Sequence, residues 1–134
     1  MKFKISIIIN CYNGEKYLKQ CLDSINKQIF QNYELIFWDN CSSDSSAKIF
    51  KKFKNKKFRY FKSKKFLKLY EARNEACKKA RGNHIAFWDV DDFWHKDFLS
   101  SRKFFFLQNS YKFSYSNCYH LYEVTSQKKL FTKV

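Results

Sequence analysis

The sequence contains no proline and only two glycines among its 134 residues, and it has no internal repeat or low-complexity segment. A chain of this length forms a single domain, and these absences leave no linker at which it would divide. The same composition, with sixteen phenylalanines and abundant lysine and asparagine, is typical of an A+T-rich coding sequence. We therefore attribute this amino-acid composition to the base composition of the genome rather than to the function of the protein.

No two cysteines have the C-x-x-C spacing and their number is odd, which argues against a disulfide framework or a zinc site built on cysteine pairs. The histidines do not fall beside any two cysteines at ligand spacing. We interpret these residues as ordinary thiols and imidazoles, and free thiols fit a reducing cytosol. The residues concerned are Cys11, Cys21, Cys41, Cys77, Cys118, His84, His95 and His120.

A long hydrophobic run is also missing. The apolar run at residues 5–9 is too short for the core of a signal peptide or for a membrane span, and no cleavage site follows it. We therefore expect a cytoplasmic protein, with at most peripheral contact to the cytoplasmic face of a membrane.

Acidic residues are scarce: 12 of them stand against 27 lysines and arginines, which gives a net charge of +15. Such an excess is typical of proteins that bind nucleic acid or an anionic membrane. Most of the lysines are scattered, however, with one denser zone at residues 51–68 that could meet an acidic surface. We interpret the charge mainly as solvated surface and expect no nucleic-acid partner. A basic nucleic-acid-binding domain remains the less favoured alternative.

Hydrophobic periodicity alternates between the strand and the helix pattern along the chain. Continuous apolar runs predict strands at residues 3–10, 33–38, 58–61, 84–89 and 113–122. Helical spacing predicts helices at residues 15–28, 70–81 and 97–107. A further helix would be capped by Asp44 or Ser45 and carries Ala47, Phe50 and Phe53 on one face.

The resulting order, β-α-β-α-β-α-β-α-β, predicts an α/β fold with a mostly parallel sheet covered by helices on both faces. Alanines at 72, 76 and 80 form a narrow stripe that would let one helix pack closely on the sheet. Gly82 is expected to end that helix. In such a sheet, ligands bind beyond the carboxyl ends of the strands.

Polar residues follow three of the predicted strands. They are Asn10-Cys11-Tyr12-Asn13 after the first, Asp39-Asn40 after the second and Asp89-Val90-Asp91-Asp92 after the fourth. Together these groups suit a base, a ribose and a metal-bound diphosphate. The three clustered carboxylates repel one another unless a cation lies among them, and Mg²⁺ or Mn²⁺ prefers such oxygens. The alternative is a polar turn that caps the next helix.

Four ordered segments of this sequence resemble a family 2 glycosyltransferase of the GT-A fold. They are SIIINCYN at residues 6–13, ELIFWDNCSSD at 34–44, ARNEA at 72–76 and ARGNHIAFWDVDD at 80–92. The segments cover nearly the whole chain. The resemblance implies a Rossmann-like domain at residues 1–134 that is incomplete on its C-terminal side.

The resemblance also implies roles for single residues in binding a nucleotide sugar. Tyr12 matches the residue near the base, with Asn10 in the same segment. Asp39 and Asn40 match the pair that holds the base or the ribose. The structural alternatives are that Tyr12 packs at the sheet edge and that Asp39 is a turn residue bonded to its own backbone.

Arg73 matches a basic residue that lies near the donor phosphates or braces the acidic cluster. Asp89 and Asp91 match the D-x-D that reaches the ribose and, through Mg²⁺ or Mn²⁺, the diphosphate, with Asp92 as a further metal ligand. Arg73 could instead form a surface ion pair with Glu75 or a nearby aspartate. The tryptophans are interpreted as packing residues rather than a platform for sugar. They are Trp38, Trp88 and Trp94.

The sequence departs from the family pattern at four places. The family commonly has proline where Asn10 stands, a second aspartate at Asn40, glycine at Cys41 and proline near Lys96. A cysteine is unfavourable at position 41 if the turn needs a positive φ.

No residue matches the general base, which the family carries in a later segment, so the catalytic residue is unknown. The resemblance implies the donor-binding half of an enzyme that transfers a sugar, most simply from a UDP-linked donor, to a cell-surface glycan or a lipid-linked acceptor. The alternative is an inactive fragment that only binds the donor.

Overall fold

The structure is a computed structural model that describes residues 3–108, 113–114, 119–123 and 129–133. It divides into two compact units, Met1–Lys103 and Phe104–Val134.

The first unit is built on a four-stranded parallel sheet. Its strands are β1 (Ile5–Cys11), β2 (Tyr33–Asp39), β3 (Phe58–Lys62) and β4 (His84–Asp89), in the spatial order β3-β2-β1-β4. Every residue of β2 is buried, as expected for a central strand that helices cover on both faces. The predicted α/β architecture with a parallel sheet is confirmed.

Helices cover the two faces of this sheet. They are α1 (Glu15–Asn26), α2 (Ser46–Lys52), α3 (Leu69–Cys77) and α4 (Phe98–Gln108), of which α4 continues past the division between the units. Side chains of α1, α2 and the start of α4 pack with Ile7, Ile9 and Phe37 on one face. On the other face, α3 packs against Ile8 and Ile36.

The alanine stripe predicted from the sequence forms the contact between α3 and the sheet. Ala72 and Ala76 are fully buried, and Ala80 packs against the same cluster. Small side chains let the helix approach closely, because no larger group separates its backbone from the strands. This contact fixes where α3 places its polar side chains at the carboxyl edge of the sheet.

The turn between α3 and β4 corrects one prediction. α3 ends at Cys77 rather than at residue 81, and Gly82 does not cap it. A Cβ at Gly82 would lie 2.7 Å from Ser6 Oγ and 2.8 Å from Lys4 O. Glycine is therefore needed here because the turn runs directly against β1, a contact between distant parts of the chain.

A buried carboxylate holds this turn to the sheet. Glu34 Oε1 accepts hydrogen bonds from Ser6 Oγ at 2.8 Å and from the Arg81 backbone N–H at 2.6 Å. Its Oε2 accepts from Arg59 Nη1 at 2.8 Å. Burial alone would raise the pKa of Glu34, but these hydrogen bonds outweigh it and the pKa is lowered.

The second unit contains an antiparallel pair of strands, β5 (Tyr119–Glu123) and β6 (Lys129–Lys133). The fifth strand was predicted at residues 113–122, and this was wrong in its bounds, since residues 113–114 are not in a strand. Residues 115–118 of that prediction lie outside the described part of the chain. The sequence did not predict β6. Within the described residues, no helix is both long and apolar enough to cross a bilayer.

Candidate functional site

The four parallel strands end at one edge of the sheet, as the sequence predicted. The Asn40 N–H donates to Cys11 O at 2.8 Å, and the Ser63 N–H donates to Asp39 O at 2.8 Å. These bonds extend the pairing of β1, β2 and β3 past the strands themselves. The loops that follow are therefore held side by side at this carboxyl edge.

Side chains also join the loops after β1 and β2. The Asn13 N–H donates to Ser42 Oγ at 3.1 Å, and Asn13 Oδ1 accepts from the Ser43 N–H at 2.8 Å. The Gly14 N–H donates to Ser46 Oγ at 3.0 Å. The first turns of α1 and α2 lie next to each other as a result.

The side chains of Asp44 and Glu15 accept hydrogen bonds from the backbone at each other's helix start. Asp44 Oδ2 accepts from the Glu15 N–H at 2.9 Å, and Glu15 Oε2 accepts from the Ser45 N–H at 2.8 Å. Asp44 Oδ1 also accepts from the Ser46 N–H at 2.9 Å, so of the two predicted caps Asp44 supplies a side-chain bond to α2, whereas Ser45 holds the N-cap position without one. Burial acts to raise the pKa of Asp44, but these hydrogen bonds outweigh it and the pKa is lowered.

The turn after β2 needs a positive φ at the position where the family commonly has glycine. Cys41 has φ 66°, and Asn13 in the facing loop has φ 51°. Asparagine tolerates this region, whereas for most residues with a Cβ it costs about 1–2 kcal/mol. Cys41 is therefore a strained residue beside the site.

Asp39 is fully buried and both of its carboxylate oxygens are engaged. Oδ1 accepts from the Ser42 N–H at 2.8 Å, and Oδ2 accepts from the Tyr60 hydroxyl. Burial and the bond to Asp39 raise the pKa of Tyr60. The turn interpretation of Asp39 is thus realised, and its contact with a base or ribose stays a prediction. The contact with Tyr60 was not predicted, because Tyr60 comes from β3 and only the fold brings it to Asp39.

Asn40 is likewise engaged within the protein. Its Nδ2 donates to Leu67 O at 2.8 Å, and its Oδ1 accepts from the Leu67 N–H at 3.0 Å. Asn40 is 6% exposed. Its side chain therefore clamps the loop at residues 63–68, called here the β3–α3 loop, and its predicted contact with the donor stays untested.

Two aromatic rings stand exposed at this edge. Tyr12, predicted to lie near a base, is 55% exposed, and Phe66 in the β3–α3 loop is 59% exposed. Their ring centroids are 4.9 Å apart with an edge-to-face angle of 68°. The sequence analysis did not find Phe66, because nothing local marks that loop as a neighbour of Tyr12.

On the face covered by α3, an arginine reaches the acidic end of β4. Arg73 Nη2 donates to Asp89 Oδ1 at 2.7 Å, and its guanidinium lies 5.2 Å from the centre of the Phe87 ring. The Asp89 side chain remains 60% exposed. The structure thus shows Arg73 in an ion pair with a nearby aspartate, and its predicted roles, near the donor phosphates or as a brace of the acidic cluster, stay predictions.

The three carboxylates after β4 do not form the expected cluster. In the described part of the chain, no three histidine, cysteine or acidic side chains come together as a metal-binding group. The Asp92 N–H donates to Asp89 O at 3.1 Å across the turn, and Asp91 and Asp92 are both exposed. The predicted binding of Mg²⁺ or Mn²⁺ by Asp89, Asp91 and Asp92 therefore stays a prediction.

Asp39 and Asp89 leave the sheet on opposite faces. Asp39 contacts Tyr60, which packs with the α1 and α2 cluster, whereas Asp89 contacts Arg73 of α3. The two carboxylates can act on one ligand only if it lies across the carboxyl edge.

Asn10 and Trp38 are neighbours in the register of β1 and β2. Among the described residues, Asn10 Nδ2 and Oδ1 and Trp38 Nε1 are buried without a hydrogen-bond partner. The predicted packing role of the tryptophans is confirmed, since Trp38 is buried and Trp88 stacks on Trp94 with centroids 3.6 Å apart. The predicted contact of Asn10 with the nucleotide sugar stays a prediction.

A parallel sheet with exposed acidic, basic and aromatic groups at its carboxyl edge defines an α/β protein of the nucleotide-binding type. Comparison with known proteins is more specific. The family described as Glycosyl transferase family 2 matches residues 6–133. This chain belongs to that family, and its sheet is of the GT-A type.

Individual relatives agree with this assignment. WfgD of Escherichia coli, a UDP-Glc:alpha-D-GlcNAc-diphosphoundecaprenol beta-1,3-glucosyltransferase, is 30% identical over 131 residues, 98% of this chain and 50% of that protein. Glycosyltransferase GlyA of Streptococcus pneumoniae is 34% identical over 99 residues, 73% of this chain and 14% of that protein. The crystal structure of S. aureus TarS 1-349 with UDP-GlcNAc matches with a TM-score of 0.75 and 31% identity, over 81% of this chain and 32% of that chain. The chain thus spans half or less of the length of these relatives.

Proposed function

We propose that this chain is the donor-binding part of a family 2 glycosyltransferase that uses a UDP-linked sugar. The proposal rests mainly on one observation: Arg73 holds Asp89 at the carboxyl edge of the sheet with most of the Asp89 side chain exposed. An exposed carboxylate beside a guanidinium suits a ligand that carries both hydroxyl groups and phosphates. The relatives named for UDP-Glc and the structure with UDP-GlcNAc support UDP as the carrier.

The residues after β4 fit a divalent cation by the chemistry of their donor atoms. Mg²⁺ usually binds one or two protein carboxylates together with phosphate oxygens of the substrate, so a preformed group of three ligands is not required. Asp91, with Asp89 or Asp92, would hold Mg²⁺ or Mn²⁺. When bound, the ion neutralises charge on the diphosphate as it leaves.

The reaction of this class joins an acceptor hydroxyl to the anomeric carbon of the sugar and releases the nucleoside diphosphate. A general base must take the hydroxyl proton. No residue of this sequence matches the general base of the family. We propose a cell-surface glycan or a lipid-linked acceptor, which the name of the E. coli relative supports. Because soluble nucleotide sugars are the donors, we propose a cytoplasmic location, with peripheral membrane contact where the acceptor is lipid-linked.

Calorimetric titration with UDP, with and without Mn²⁺, tests donor binding. We expect binding that requires Mn²⁺ and that Asp91→Ala abolishes while circular dichroism stays unchanged. Asp97→Ala is the matched control, because Asp97 is also exposed but pairs with His95 at 3.3 Å. Equal affinity of the Asp91 variant and the wild type would refute the metal assignment.

A second assay separates the enzyme from a binding fragment. Release of UDP from UDP-glucose or UDP-N-acetylglucosamine, measured with and without a glycan acceptor, reports hydrolysis and transfer. Turnover supports a working enzyme. Tight Mn²⁺-dependent binding with no turnover supports the alternative, a donor-binding fragment.

A further inference from the structure

The two exposed rings at the carboxyl edge, those of Tyr12 and Phe66, do not pack in the core of the protein. Aromatic residues of the core, such as Phe37, are fully buried, whereas Tyr12 and Phe66 are more than half exposed. Their edge-to-face contact covers only part of each ring. Flat faces exposed in this way are what nucleobases stack on.

Phe66 is held in place from outside its own loop. The next residue, Leu67, has both its N–H and its C=O bonded to the Asn40 side chain. The start of the loop is fixed as well, since the Ser63 N–H donates to Asp39 O at 2.8 Å. The position of the Phe66 ring is thus set by the residues that end β2.

Tyr12 is fixed by the same strand end. It lies between Cys11, whose C=O accepts from the Asn40 N–H, and Asn13, whose N–H donates to Ser42 Oγ. Asn40 is therefore bonded to both loops that carry the rings. The bond to Cys11 comes from the Asn40 backbone N–H, so a substitution of the Asn40 side chain would release only the loop that carries Phe66, without touching either ring.

The β3–α3 loop and its flanks also carry positive charge. Four exposed lysines fall within seven residues, which attracts a phosphate-bearing ligand to the side of the rings. They are Lys62, Lys64, Lys65 and Lys68.

We propose that Phe66 is a second aromatic contact for the donor's base, beside Tyr12, and that Asn40 is the positioning residue that holds it there. This rests on the proposed function, since it assigns residues to the same donor site. Phe66 contacts the base, and Asn40 acts through the β3–α3 loop rather than on the base itself.

Affinities of the 134-residue chain for UDP and for inorganic pyrophosphate, both with Mn²⁺, separate a base contact from a phosphate contact. We expect Phe66→Ala to weaken UDP binding by about tenfold, the effect of losing one stacking ring, and to leave pyrophosphate binding unchanged. Phe66→Trp should keep the UDP affinity. Ile29→Ala is the control, because Ile29 is equally exposed at 58% but precedes β2 at the other end of the sheet.

The positioning role of Asn40 has its own readout. Asn40→Ala should weaken UDP binding to a similar extent, and the double variant with Phe66→Ala should be no weaker than either single variant, because both changes remove one contact. In Phe66→Trp, UDP should quench the added tryptophan fluorescence relative to wild type. Adding Asn40→Ala should remove that quenching.

Several results would overturn the inference. If the wild type binds UDP and Phe66→Ala binds it equally well, the proposed function survives and the role of Phe66 is refuted. An equal loss of UDP and pyrophosphate affinity in Phe66→Ala refutes the base contact. Additive losses for Asn40→Ala and Phe66→Ala refute the positioning role. If the wild type binds no UDP with Mn²⁺, the proposed function and this inference both fail.

Discussion

Replacing Glu34 by glutamine tests whether the buried carboxylate holds the α3–β4 turn. Glu34 is 5% exposed, and its two oxygens accept three hydrogen bonds, from Ser6, Arg81 and Arg59. Glutamine has nearly the same shape. The glutamine amide nitrogen, however, is a hydrogen-bond donor. It would replace one of the two acceptor oxygens and would then face another donor.

The expected loss follows from these contacts. A hydrogen bond to a charged group contributes about 1.5–3 kcal/mol, and the partly buried Arg59 guanidinium would lose its charged partner while keeping its bond to Lys79 O. The Ser6 hydroxyl can rotate to suit the amide, so part of the network survives. We expect Glu34→Gln to lower the free energy of unfolding by about 3 kcal/mol at pH 7.

The difference should depend on pH. Because folding lowers the pKa of Glu34 from its ordinary value of 4.5, its stabilisation is fully present above that value. It is lost as the pH falls through the lower pKa of the folded state. The unfolding free energies of Glu34→Gln and the wild type should therefore converge in acid, below pH 4.5.

Urea unfolding followed by circular dichroism at pH 7 and in acid measures both effects. Glu75→Gln is the control, because Glu75 forms only an exposed pair with Lys78, whose removal should change stability by less than about 1 kcal/mol. A Glu34→Gln protein within about 0.5 kcal/mol of the wild type at pH 7 would refute the reasoning.

Three further substitutions test the positive φ at Cys41, the close contact at Gly82 and the role of Arg73. Cys41→Gly should raise the free energy of unfolding by about 0.5 kcal/mol, since relief of the positive φ slightly exceeds the entropy that glycine loses; a destabilised variant in urea would contradict this. Gly82→Ala should lower it by about 1–3 kcal/mol, because its Cβ would meet Ser6 and the backbone of Lys4; an unchanged urea midpoint would contradict the close contact. Arg73→Ala should change stability by less than about 1 kcal/mol, since its Asp89 partner is exposed, yet weaken UDP binding about tenfold by calorimetry; unaltered UDP affinity would remove Arg73 from the site.

Much of the sheet could be predicted because its signals are local. β4 is bounded as predicted, and α1 begins at Glu15 as predicted, since the switch from an apolar run to helical spacing is read within a few residues. The end of α3 was missed for the opposite reason. Gly82 fits the pattern of a helix cap. Glycine is required there, however, because the backbone contacts β1, about 75 residues away in sequence.

The candidate site could likewise be predicted only where its signals are local. Its place at the carboxyl edge follows from the strand order alone, and Tyr12, Asp39 and Asp89 all lie there. The residues that contact them cannot be predicted from the sequence, because Tyr60 and Phe66 come from elements that only the fold brings near. The expected three-carboxylate cluster does not form among the described residues, because the turn after β4 leaves the side chains of Asp91 and Asp92 exposed.

Paramagnetic broadening of backbone amide signals by Mn²⁺ tests the central claim most directly, because it shows where the ion and the nucleotide bind. With UDP present, we expect trace Mn²⁺ to broaden the signals of residues 89–92 first, while UDP alone shifts those of residues 12–14. The signals of residues 54–57, which precede β3 at the other end of the sheet, should stay sharp. Broadening centred on residues 54–57, or broadening that UDP does not change, would contradict a donor site at the carboxyl edge.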